Sequence, residues 1–151
     1  TSLLSSFAGL LATVAVLAGV AASADTSSEE RAFTRTADSS GLAWGPCPAF
    51  MPDTCRIAGL HGDPAKPAAD VFFKLPAGES VPNHWHTSAE RMVLVSGEMR
   101  VAYEGQAPVT LTAGTYAYGP PKLEHDATCV SDDDCVLFIA FEEPVDAVAA
   151  E

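Results

Sequence analysis

The chain of 151 residues has few basic side chains. Its 8 Lys and Arg residues stand against 20 Asp and Glu residues, which gives a formal net charge of −12 at pH 7. Nucleic-acid-binding proteins need basic side chains to neutralise phosphates, and docking on an anionic lipid surface also requires positive charge. The charge balance therefore argues against nucleic acid and against anionic membrane surfaces as partners.

The chain also has no Cys-x-x-Cys pair, the spacing that zinc fingers and zinc knuckles use. Its four cysteines are Cys47, Cys55, Cys129 and Cys135. An even count in an exported chain is typical of disulfides, with three connectivities open. Cys129 and Cys135 flank a polar turn between two strand-like runs, and Cys47 and Cys55 flank a proline-containing loop. We predict two disulfides and favour this local pairing.

The first 24 residues contain no Asp, Glu, Lys or Arg. An apolar run from Leu3 to Val20 leads to the triplet Ala22-Ser23-Ala24, which is typical of a signal-peptidase site, although the usual basic start and initiator Met are missing. We expect residues 1–24 to be a signal peptide and the protein to be periplasmic or secreted, without stable membrane association after cleavage. The alternative is a membrane anchor, because the run is long for a signal peptide.

Beyond Asp25 the sequence shows no long helical periodicity. The polar stretch 25–44 predicts a flexible or weakly helical lead-in. Short alternating apolar runs follow, separated by turn residues, and this pattern is typical of an all-β sandwich or barrel. The predicted strands cover residues 56–60, 70–75, 90–95, 99–103, 109–111, 115–118, 125–130 and 135–141.

Three potential metal ligands, His84, His86 and Glu90, lie within seven residues. Side chains two apart share one face of a strand, so both histidines point the same way. After a short link Glu90 can return to the same cavity, and His125 offers a third imidazole on another strand. Such a set suits one divalent transition metal such as Mn, Fe, Zn, Ni or Cu, and it leaves two octahedral positions open. The ligand set does not choose among these ions.

The same stretches resemble the two motifs of the cupin superfamily. Residues 78–97 fit the first motif, G-x5-H-x-H-x3-E-x6-G, at every defined position. The second motif, G-x5-P-x-G-x2-H-x3-N, begins at Gly114; Pro120 and His125 match it, whereas Lys122 replaces its Gly and Cys129 its Asn. These two departures fall at turn and strand-end positions, where they put the local loop shape in doubt.

The resemblance implies an all-β, double-stranded β-barrel of the RmlC-like jelly-roll type over residues 45–143, followed by a tail over 144–151. It implies that the metal ligands are His84, His86, Glu90 and His125. Cupins often pair, so a homodimer is the implied assembly.

An enzyme should place a second ionisable group beside the metal. Tyr116 and Tyr118 alternate along the strand that leads to Pro120, and they are the candidate acids or bases if that face borders the cavity. Aromatic packing is the alternative for both, and Tyr103 is a further candidate. The expected function is a metal-dependent enzyme, a dioxygenase or else a lyase, isomerase or decarboxylase, acting on a small carboxylate, diol or enol. The alternative is a non-catalytic module that binds or senses a metal or small ligand.

Overall fold

The computed structural model describes residues 30–151. The predicted signal peptide lies outside these residues. Contacts group residues 34–151 into one unit. Within the described part the chain forms strands and turns without an α-helix, and no segment there qualifies as a membrane-spanning helix.

Two antiparallel sheets build this unit. The strands are β1 (Trp44–Pro46), β2 (Arg56–His61), β3 (Asp70–Leu75), β4 (Ser80–Trp85), β5 (Glu90–Ser96), β6 (Glu98–Tyr103), β7 (Val109–Thr112), β8 (Tyr116–Gly119), β9 (His125–Cys129), β10 (Cys135–Phe141) and β11 (Val148–Ala149). One sheet has the strand order β1-β2-β3-β10-β5-β8 and the other β11-β4-β9-β6-β7. These two sheets confirm the predicted all-β class.

Alternation along each strand decides which side chains enter the barrel. In β5 the residues Glu90, Met92 and Leu94 are buried, while Arg91 and Val95 face outward. The same period of two buries Val71 and Leu75 in β3. The core therefore lies between the inner faces of the two sheets, and Glu90 enters it because it keeps the phase of its apolar neighbours.

Both cysteine pairs form as the local pairing predicted. One disulfide joins Cys47 to Cys55, and the other joins Cys129 to Cys135 across the hairpin between β9 and β10. The residue that replaces the Asn of the second cupin motif is therefore half of a disulfide.

The segment predicted as a tail holds a strand. Within it β11 pairs with β4, so that Val148 lies opposite Trp85 and Ala149 opposite His84. A two-residue strand is too short to show the alternation by which strands are recognised in a sequence. We call residues 142–150 the strap, because they run back along β4, the strand that carries His84.

Candidate metal centre

Strand ends bring the four candidate ligands together. His84 lies on β4 directly opposite His125 on β9, and His86 follows one residue after β4 ends. Glu90 begins β5 in the facing sheet. All four side chains are buried, with 3% to 8% of their surface exposed.

The ligand atoms lie close enough to share one ion. One nitrogen from each of His84, His86 and His125 lies within 4.8 Å of the others. The Glu90 oxygens lie 3.4 Å from His86 Nε2 and 3.6 Å from His125 Nε2. Ligands bound to one ion at about 2.0–2.2 Å stand roughly 3–4 Å apart. Both Glu90 contacts fall in this range, and the histidine nitrogens lie close enough together to be grouped around the same ion.

Backbone carbonyls fix the tautomer of every histidine in the cluster. The Nδ1 atoms lie within hydrogen-bond distance of carbonyl oxygens: His84 of Pro82 at 2.8 Å, His86 of Asp146 at 2.5 Å and His125 of Leu123 at 3.0 Å. A carbonyl only accepts, so each Nδ1 carries the proton and donates it. The three Nε2 lone pairs are left for the shared centre, which is the arrangement that metal-binding histidines adopt.

Burial also sets the charges of this cluster. Together with His125 and His86, it lowers the pKa of His84 to about 3. It also lowers the pKa of His86 to about 4. It lowers the pKa of His125 as well. Neutral imidazoles are the form that binds metal.

The same burial, assisted by the charge of Asp146, raises the pKa of Glu90 to about 8. The contacts of Glu90 with His86 and His125 are therefore not ion pairs in metal-free protein, since both sides are uncharged at neutral pH. No Lys or Arg is among the described residues around the cavity that could balance a Glu90 carboxylate. A divalent cation held by these four residues would supply that missing charge, so the donor set fits a metal.

A cavity of about 280 Å³ opens inside the barrel next to the ligands. Its polar lining consists of the four ligands, Tyr103 and Asp146, and most of the remaining wall is aliphatic, aromatic or thioether. A concave apolar site with a few convergent polar groups is the usual form of a small-molecule site.

The structure places Tyr103, rather than the two tyrosines favoured by the sequence, on the cavity wall. Tyr116 and Tyr118 are 60% and 51% exposed on the outer face of β8. Their phase is the outward one because Ala117 packs against the core and Gly119 is buried beside Glu90. Neither tyrosine lines the cavity, so the condition on which they were candidate acids or bases is not met.

Tyr103 lies opposite His125 in the β6–β9 ladder, with ring centroids 5.2 Å apart. Its hydroxyl is buried and has no hydrogen-bond partner among residues 30–151. Burial raises the pKa of Tyr103, and the charge of Glu90 adds to that effect. A buried polar group without a partner is uncommon and suggests a hydroxyl kept for a ligand. The inward phase of Met99, Val101 and Tyr103 in β6 was the sequence signal for this position.

The strap, unlike Tyr103, was not among the candidates from the sequence. Ser88 Oγ accepts the backbone N–H groups of Glu142 and Glu143 at 2.8 and 3.0 Å. The Asp146 carboxylate accepts the Thr87 N–H at 2.8 Å and the Thr87 hydroxyl at 2.5 Å. The strap is thus tied to the segment that carries His86, and its Asp146 carbonyl orients that ligand.

Lys122 stands in the loop of the second motif, where that motif has a glycine. This residue has a φ of 61°, the left-handed conformation that glycine adopts most easily, and its N–H donates to the His86 carbonyl at 2.8 Å. Gly97 of the first motif has a φ of 79°, and a Cβ there would lie 2.9 Å from Cys135 Sγ. Each motif therefore contains a tight turn next to a strand that carries candidate ligands.

The family comparison agrees with this geometry. The family model of the ChrR cupin-like domain matches residues 31–144, about three quarters of the chain. The chain belongs to this family. The match ends inside the strap, so the residues that contact His86 and β4 from that segment lie beyond it. No curated protein matches this cupin chain by sequence.

Solved structures share the fold of this cupin. A cupin 2 conserved barrel domain protein from Rhodopseudomonas palustris superposes with a TM-score of 0.62 at 16% identity, covering 74% of this chain and 79% of that one. The DMSP lyase DddQ from Ruegeria pomeroyi gives 0.62 at 21% identity, covering 72% and 61%. An oxalate oxidase gives 0.57 at 15% identity, covering 70% and 60%. The cupin chain thus spans about three fifths of the lyase and of the oxidase.

Proposed function

We propose that this cupin is a metal-dependent enzyme that acts on a small organic molecule. One divalent transition-metal ion would be held by His84, His86, His125 and Glu90. The observation that carries the proposal is the convergence of three oriented Nε2 atoms and one buried carboxylate on a cavity of about 280 Å³. When bound, such an ion polarises an oxygen group of its ligand or activates water.

Tyr103 is the proton-transfer residue in this proposal. Its hydroxyl borders the cavity near Glu90, and its burial without a partner leaves it ready to bond to a bound molecule. General acid–base groups must lie within hydrogen-bond reach of the reacting atoms, and Tyr103 is the only tyrosine of the chain on the cavity wall. This favours an enzyme over a non-catalytic binding module.

Proton-transfer chemistry of the lyase or isomerase kind agrees with a cavity tyrosine better than a dioxygenase, which needs no side-chain base. The structural neighbours include a lyase and an oxidase, so the fold itself does not choose the reaction. The expected export of the protein belongs to the same proposal, and the two disulfides are compatible with an oxidising compartment.

Metal analysis tests the site. The full chain is purified without added metal, analysed, and then reconstituted separately with Mn, Fe, Ni, Cu and Zn ions. We expect one ion per chain, and we expect His86→Ala to lose most of it. His61→Ala is the matched control, because His61 ends β2 and does not line the cavity. A wild-type protein that holds only trace metal and takes up none would contradict the proposal.

The role of Tyr103 needs a separate test. Wild type, Tyr103→Phe and the outer-face control Tyr118→Phe are loaded with metal and screened against small carboxylates, diols and enols. For any reaction found, Tyr103→Phe should lower kcat by about 100-fold or more with unchanged metal content. Equal kcat values would remove Tyr103 from the reaction. Tight ligand binding without turnover would favour the binding module instead.

A further inference from the structure

We infer that the cavity takes a small monoacid, with its one acidic oxygen group at the histidine end and an uncharged, apolar body directed deeper into the barrel. The inference rests on the proposed function, because the acidic group of the ligand would bind where the metal is held. It adds the orientation of the ligand in the cavity, and it excludes ligands with a second charged end.

The strand register separates the two ends of the cavity. In the β6–β9 ladder Tyr103 lies opposite His125, Val101 opposite Ala127, and Met99 opposite Cys129. The first of these pairs is polar, and the pairs that lie deeper in the barrel are apolar or sulfur-containing. Tyr103 and Met99 are four residues apart, which corresponds to about 13 Å along the strand.

The facing sheet repeats this gradient. Glu90 lies opposite Phe141, and the next inward pair is Met92 with Ile139. Val71 lies opposite Ile139 on the neighbouring strand, and it also lines the cavity. Both sheets are thus polar at the same end of the cavity and apolar at the other.

The apolar end offers no partner for a second charge. The polar side chains that line the cavity are the four ligands, Tyr103 and Asp146, and none of the lining residues is Lys or Arg. A buried carboxylate without a cation or a hydrogen-bond donor is strongly unfavourable. A ligand with one carboxylate at the ligand end avoids this cost, whereas a straight-chain dicarboxylate puts its second charge among methionine and aliphatic side chains.

The cavity volume limits the body of the ligand. At about 280 Å³ it lies just below the range of roughly 300–1,000 Å³ typical of drug-sized ligands. Each methylene moved from water into the apolar end should tighten binding about fourfold, the equivalent of about 0.8 kcal/mol, until the cavity is full. Affinity should then stop rising.

Calorimetry on the Zn²⁺-loaded full chain tests the inference. Propanoate, butanoate, pentanoate and hexanoate form one series, pentanedioate is matched in length to pentanoate, and pentanol lacks the acidic head. We expect the affinity to rise about fourfold per methylene up to a limit. We expect pentanedioate and pentanol each to bind at least about tenfold more weakly than pentanoate. A flat series, or equal binding of pentanoate and pentanedioate, overturns the inference.

Two core variants locate the apolar end. Ile139→Ala removes a side chain that lines the cavity, and Leu94→Ala removes a buried one that does not. The optimum should move to a longer acid in Ile139→Ala and stay in Leu94→Ala. Unmoved optima in both variants overturn the placement of the body. Metal content is measured first, and if Zn²⁺ does not load, the series is run with whichever of the Mn, Fe, Ni and Cu ions does. Failure to load any of the five ions defeats the proposed function and the inference together, whereas loading with a flat series defeats the inference alone.

Discussion

The two ends of the barrel are stabilised by different interactions. At the site end, which comprises the four ligands, Tyr103 and the strap, buried titratable groups are held by hydrogen bonds to backbone carbonyls and loops. At the far end, Leu94, Met99 and Leu75 are fully buried, and the Cys129–Cys135 disulfide closes the hairpin beside them. Polar groups dominate one end and apolar packing the other.

This difference implies that function and stability are separated in space. Burial moves the pKa values of the site-end groups away from their ordinary values, which costs folding free energy unless a cation compensates. The far end carries no such cost. Substitutions at the far end should therefore lower the free energy of unfolding but leave the metal content intact. Substitutions at the site end should lower the metal affinity with a smaller loss of stability.

The largest expected effect comes from Glu90 in metal-free protein. Its pKa is raised from 4.5 to about 8, so the folded state holds the proton more tightly than the unfolded state. Stability from this group is present below pH 4.5 and is lost as the pH rises to about 8. The loss amounts to about 1.4 kcal/mol per pH unit and about 5 kcal/mol over the window.

Denaturant unfolding of chelator-treated wild type and Glu90→Gln between pH 5 and pH 9 measures this loss. The wild-type free energy of unfolding should fall relative to that of Glu90→Gln up to about pH 8 and then run parallel to it. Parallel curves over the whole range would show that Glu90 is not buried as a titrating acid.

A change at the far end tests the other half of the comparison. Leu94→Ala should lower the free energy of unfolding by about 3 kcal/mol, because the lost apolar contacts leave a cavity that the packed core cannot fill. Metal content should stay at one ion per chain. Val95→Ala on the same strand is the control, since Val95 is largely exposed and should cost less than about 0.5 kcal/mol. Loss of metal in Leu94→Ala would mean that the two ends are not separate.

The two disulfides offer a matched pair, because they close loops of similar length, with sequence separations of 8 and 6 residues. Replacing both cysteines of either pair by Ser should cost about 2 kcal/mol of unfolding free energy. Cys47 lines the cavity, whereas Cys129 and Cys135 do not. Only loss of the Cys47–Cys55 pair should therefore weaken monoacid binding in calorimetry. Equal weakening in both double variants would contradict the comparison.

Local patterns were enough to predict much of this molecule. The alternation in the strands predicted an all-β sandwich or barrel, and the resemblance to the two cupin motifs implied the jelly-roll type. The spacing of His84, His86 and Glu90 pointed to a shared cavity. The structure brings these three residues together with His125, a residue of the second cupin motif. The cysteine pairing was also local, since each pair spans fewer than ten residues.

The tyrosine and the strap depended on pairings between distant strands. Tyr103 lies on the cavity wall because β6 pairs with β9, which places it opposite His125. This pairing of distant strands cannot be inferred from the local sequence. Tyr116 and Tyr118 point outward from β8. The small residues at 117 and 119 face inward, and Gly119 lies next to the Glu90 carboxylate. Asp146 reaches His86 across 60 residues of sequence.

The smallest predicted effect concerns the strap. Asp146→Ala removes the acceptor of two Thr87 hydrogen bonds, and the backbone carbonyl that orients His86 is then held less firmly. Partners of this kind typically contribute at least about tenfold to metal affinity, so we expect about a tenfold loss, with about 1 kcal/mol of unfolding free energy.

Competition with a chelator measures that affinity. Asp146→Asn should behave much like wild type, because its amide oxygen still accepts the Thr87 N–H. Glu143→Ala, an exposed change on the same segment, is the control for the strap as a whole. If Asp146→Ala binds metal as tightly as Glu143→Ala does, the strap covers the site without orienting its ligand, and the site end depends on the barrel strands alone.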